Sequence, residues 1–80
     1  MTVSGLEEFS DLSPAALDAL ERAVRGHRRL AVRRRGAEYV VVAERLDTSD
    51  REERLEGRLP MTGELIGFRL RDLESFVLLP

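Results

Sequence analysis

The hydrophobic period of this 80-residue chain changes once, at Gly26. Before it, Leu17, Leu20 and Val24 recur at i, i+3 and i+7, which makes one apolar stripe on a helix, with Asp18, Glu21, Arg22 and Arg25 directed elsewhere. After it, Leu30 and Val32 alternate with Arg29, Ala31 and Arg33, the period of a half-buried strand. One helix therefore precedes a run of strands, and the expected class is α+β, mainly β.

Both helix ends are signalled in LSPAALDALERAVRG. Ser13 can cap, Pro14 suits the first helical position, Leu12 and Leu17 have the spacing of a hydrophobic staple, and Gly26 can stop the helix, giving 13–26. In the N-terminal segment, 1–12, Ser4 and Glu7 resemble a capping box with Leu6 and Phe9 three apart, so a short helical turn is expected there.

Beyond the helix, Arg35-Gly36 offers a hairpin turn, and Glu38 to Asp47 is rich in strand-favouring residues. YVVVA is apolar on both faces, as where a long strand bends through the middle of a sheet. A turn at Asp47-Thr48-Ser49-Asp50 leads to a third strand, Arg54 to Leu59. Pro60 to Gly63 turns into a fourth strand, Glu64 to Leu70, with Ile66, Phe68 and Leu70 on one face. Arg71 to Glu74 reads as a single tight turn and Ser75 to Leu79 as the fifth strand. The expectation is one domain, 1–80, in which five strongly bent antiparallel strands over 29–79 close into a small barrel that removes edges, with the helix plugging one end.

At this point LDALERAVRGHRRLAV, the turn around Gly36 and FRLRDLESF resemble the SH3-like barrels of the Sm type, in which a helix runs directly into the first strand and a tight turn joins the fourth and fifth. The chain is similar in this respect to the Rof family, small bacterial inhibitors of the termination factor Rho, and to the core of WYL domains of bacterial transcription regulators. The resemblance implies a role in bacterial gene expression, with a protein of the transcription machinery as one class of partner.

Several chemistries have no residues to carry them. The chain has no cysteine, so neither a disulfide nor a thiolate metal site can form, and so small a domain must rely on packing, a partner or self-association. His27 is the sole histidine, which leaves no His-His metal set and no His-based triad beyond one member; past a helix end it is expected to meet the last carbonyls. Glu7-Glu8 and Glu52-Glu53 are adjacent, which on a strand sends them to opposite faces as solvated charge. Gly63 and Gly67 make no phosphate-cradling loop, and the chain has no lysine to complete one. No enzyme activity, metal or cofactor is expected. No apolar run approaches the about 20 residues that span a bilayer. Met1 to Asp11 lacks the pattern of a signal peptide, so the expected location is the cytoplasm without membrane contact.

The arginines remain. The net charge of −2 conceals a segregation: 1–21 carries five acids and no base, 22–35 seven bases and no acid, and 36–80 ten acids and six bases. All 13 basic residues are arginine, which fits either a GC-rich coding sequence or a preference for a planar fork that pairs bidentately with phosphate and carboxylate. With Leu30 and Val32 inward, Arg29, Arg33 and Arg35 project outward, Arg28 and Arg34 lie near the strand ends and Arg25 on the last helical turn. Arg25, Arg28, Arg29, Arg33 and Arg35 are thus the candidate nucleic-acid or anion-binding residues, suited to phosphates of RNA or DNA or to an acidic protein. Glu38 opposite Arg33, and Glu44 near the start of the first strand, are expected to pair with part of that charge, and Tyr39 is the only aromatic near the block. Three readings stay open: a non-enzymatic binding module using these arginines, a Rof-like inhibitor contacting a partner through Asp18 and Glu21, and a homodimer formed through the SFVLL edge with no ligand.

Overall fold

Ser13 starts the helix as its position predicts: its Oγ accepts a hydrogen bond from the Ala16 N–H at 3.2 Å, Pro14 occupies the first helical position, and α1 runs Pro14–Arg25. The computed structural model describes residues 8–48 and 52–80. The far end of α1 closes with the Arg28 N–H on the Ala23 carbonyl at 2.8 Å and the His27 N–H on Val24 at 3.2 Å, the paired bonds of a Schellman motif. The left-handed residue in it is His27, at φ 48°, and not Gly26, whose φ is −95°. His27 thus meets the last helical carbonyls through its backbone. An L-residue there carries a steric penalty that glycine lacks, so His27→Gly is expected to raise stability by about 0.5–1 kcal/mol, seen as a higher urea midpoint at unchanged slope.

The strands are β1 Glu8–Phe9, β2 Arg29–Arg34, β3 Ala37–Asp47, β4 Arg54–Arg58, β5 Leu65–Arg69 and β6 Leu73–Leu78, with a 3₁₀ turn at Leu70–Asp72 before the last. All pairs are antiparallel, in the order β1-β6-β2-β3-β4-β5. The chain is α+β and mainly β. The five-stranded barrel is corrected, however, to a six-stranded open sheet whose outer strands β1 and β5 are not hydrogen-bonded to each other. The extra strand arises because Glu8 and Phe9 pair with Val77 and Phe76, so Phe9 sits in a strand and not in the expected helical turn. Ser4 to Glu7 lie outside the described residues. The same pairing overturns SFVLL as an edge, because β6 runs between β1 and β2.

Arg35 and Gly36 both have positive φ, 52° and 76°, as the central residues of a type I′ turn require, and this turn sets the β2–β3 register. In β3 the register slips between Ala43 and Arg45, leaving Glu44 as the extra residue where the strand bends.

The core lies on the concave side of the sheet under α1. Leu30 and Val32 of β2, Val41 and Ala43 of β3, Leu55, Phe68, Leu70 and Phe76 are buried there. From the helix, Ala16, Ala19, Leu20 and Ala23 are fully buried, while Leu17 and Val24 pack at its margin. The buried stripe is therefore centred on alanines, whose small side chains let the helix axis approach β3, rather than on the Leu17–Leu20–Val24 line. Leu12 remains 37% exposed.

Candidate binding face of the sheet

Because side chains alternate along a strand, the residues between those of the core face outward. Register places Val77, Ala31 and Val40 in one lateral row across β6, β2 and β3. On one side of it lies the row Ser75–Arg33–Glu38. On the other lies Leu79–Arg29–Val42–Arg58, with the Leu79 N–H donating to the Arg29 carbonyl at 2.9 Å. Arg29 and Arg33 are both exposed and share this face, their Cα atoms about 13 Å apart at the usual rise of a strand. Val40 between them is 42% exposed.

The other candidates are spread over separate places. Arg25 lies at the end of α1, in an open groove of about 440 Å³ lined also by Glu21, Val24, Leu46 and Thr48. Arg28 reaches back to donate to the Leu79 carbonyl at 3.1 Å. Arg35 is exposed at the hairpin tip, where Glu74 Oε2 accepts from the neighbouring Gly36 N–H at 3.3 Å. Asp18 and Glu21 are exposed on α1, and of the two only Glu21 borders the groove.

Arg34 differs from the rest. It follows Leu30 and Val32 on the inner face, with its guanidinium carbon 5.2 Å from the Tyr39 ring centre and 4.9 Å from that of Phe68, and its Nη1 donates to the Gly67 carbonyl at 3.3 Å. It joins the end of β2 to β5 across the mouth of the curved sheet.

The charge neutralisation expected at the block is also redirected. Glu38 does stand opposite Arg33 in the ladder, but the ion pairs among the described residues are Arg58–Glu44 at 3.5 Å and Arg69–Glu52 at 3.8 Å, both on the β4–β5 side. The bulge explains Glu44: as the extra residue of β3 it turns to β4 instead of to the start of β2. Both pairs are solvent-accessible and stabilise by at most about 1 kcal/mol each. Among the described residues no group of three or more His, Cys, Asp or Glu side chains could hold a metal ion, and no helix is long and apolar enough to cross a membrane.

Sequence reasoning missed the valine row between Arg29 and Arg33. The signal was present in YVVVA, where Val40 and Val42 alternate with the inward Tyr39 and Val41. In comparisons with known proteins, no family model, curated protein or solved structure matches the chain.

Proposed function

We propose that this chain is a non-enzymatic binding module that acts in bacterial gene expression by holding the phosphate backbone of a nucleic acid against the outer face of β2. The observation that carries the reading is the state of Arg29 and Arg33: both project into solvent from one face, in a segment of seven arginines without an acid, and neither belongs to an ion pair among the described residues. The cellular setting comes from the resemblance to Sm-type domains, with which the run of α1 directly into β2 and the 3₁₀ turn before β6 agree and the open sheet does not. Two to three phosphate contacts give an affinity that falls about ten- to forty-fold between 50 and 200 mM salt. Anisotropy titrations should show this fall, and Arg29→Glu with Arg33→Glu should abolish binding while the circular dichroism spectrum is retained. Binding undiminished in the double variant would refute the reading.

A second reading is favoured by Val40, whose exposure beside Ala31 and Val77 gives the face a shallow apolar centre of the kind found in protein interfaces. In that case an acidic protein docks on the same two arginines, and nucleic acid gives no response at either salt concentration. The Rof-like inhibitor surface at Asp18 and Glu21 has less to support it, because of the two residues only Glu21 borders the groove at the end of α1.

A further inference from the structure

From the positions of the aromatic rings we infer that the nucleic acid is double-stranded; this rests on the nucleic-acid reading of the same face. The chain has four aromatic residues, three Phe and one Tyr, and the fold turns all of them inward. Phe9 stacks on Phe76 with ring centres 5.0 Å apart, and Tyr39 meets Phe68 edge-on at 5.6 Å, with Arg34 covering both rings of the second pair. In the ladder, Phe9, Phe76, Val32 and Tyr39 form one continuous row on the concave side. Around Arg29 and Arg33 the outer face carries the valines, Ala31, Ser75, Leu79 and Arg58, with the carboxylates of Glu38 and of Glu8 beside Val77, and none of these offers a ring.

A single strand displays unstacked bases, and proteins that hold one recover the lost stacking on aromatic side chains. A duplex keeps its bases stacked on one another and shows mainly phosphates, so it asks nothing of a protein that this face lacks. Spacing points the same way. Two guanidinium groups rooted about 13 Å apart on a rigid strand reach phosphates on both walls of the B-DNA major groove, about 12 Å wide, without reshaping the ligand. A single strand must first be ordered to present two phosphates so placed, at a cost in conformational entropy.

The test is a set of anisotropy titrations at 50 mM salt with four probes of equal length: a DNA duplex, an RNA duplex, and the single strand of each. The expected result is affinity for at least one duplex about tenfold or more above that for its single strand, lost in Arg29→Glu with Arg33→Glu. The two duplex arms decide between DNA and RNA. Equal affinity for duplex and single strand, still lost in the double variant, would overturn the duplex inference and leave the nucleic-acid reading standing. No response to any probe would overturn both.

A second variant tests the cause. Val40→Trp places a ring between the two arginines at a half-exposed strand position that tolerates aromatics. It is expected to raise single-strand affinity about tenfold, within the range that stacking one base supplies, with little change for the duplex. Unchanged single-strand affinity in a folded Val40→Trp protein would overturn the inference that ring placement sets the preference.

Discussion

Replacing Phe68 by alanine is expected to lower the unfolding free energy by about 3–5 kcal/mol. Phe68 is fully buried on β5, opposite Leu55 of β4. Truncation removes the apolar area of the ring and leaves a cavity that a sheet fixed by its ladders cannot close. It also removes a surface on which other groups rest: Tyr39 loses its edge-on neighbour, and the Arg34 guanidinium loses one of its two ring contacts. A domain of this size has only about 5–10 kcal/mol to lose, so Phe68→Ala should remove a large part of its stability and lower its melting temperature by many degrees. Urea titration followed by circular dichroism measures the loss. A change below about 1 kcal/mol would mean that Phe68 is not the pillar described. A cycle with Arg34→Met isolates the ring–guanidinium contact, with an expected coupling of about 0.5–2 kcal/mol.

The second large effect runs against intuition. Glycine in a strand interior is ordinarily a weakness, and alanine would be expected to strengthen it. At Gly57 the sign is reversed. A Cβ there would stand 2.5 Å from Val41 Cγ2 and 2.7 Å from Val41 Cβ, and Val41 is fully buried on the neighbouring strand. The β-branched valine has little χ1 freedom with which to retreat, so Gly57→Ala must push β3 and β4 apart. The expected cost is about 1–3 kcal/mol. Val41→Ala removes the obstructing methyls, and the double variant should recover part of that cost; simple additivity of the two single changes would disprove direct steric conflict.

Much of the scaffold was legible because it is encoded locally. Ser13-Pro14 marks the start of α1, Arg35-Gly36 supplies the two positive-φ positions of the hairpin, and the alternation in β2, β4 and β5 gives their faces. What escaped depends on tertiary pairing. A two-residue strand such as β1 has no period to detect, and only Phe76 and Val77 define it. The bulge that turns Glu44 toward Arg58 inserts one residue into a run whose composition does not change there. The alanine face of α1 was hidden because alanine is a weak hydrophobic marker beside Leu17 and Val24. Arg34 is the instructive case: the period of two that puts Leu30 and Val32 inside also puts Arg34 there, a consequence that its placement near a strand end does not convey. The rings of Tyr39 and Phe68, and the open Gly67 carbonyl, make that inward position acceptable. Of the candidate site, the pairing of Arg29 and Arg33 on one face was readable from β2 alone, whereas the dispersal of Arg25, Arg28 and Arg35 required the full topology.

The bond from Arg34 to Gly67 also bears on the outer edge of the sheet. The Leu59 N–H donates to the Glu64 carbonyl and the Leu70 N–H to that of Glu53, so Glu64, Ile66, Phe68 and Leu70 direct their backbone groups to β4. Leu65, Gly67 and Arg69 direct theirs away from the sheet, along an edge where another extended chain could add. Arg34 occupies the carbonyl in the middle of that edge, and the Arg54 guanidinium lies against Gly67, 3.0 Å from where its Cβ would stand. Two arginines thus crowd the one position in β5 that has no side chain of its own, dividing the free edge into stretches too short to template a growing cross-β stack.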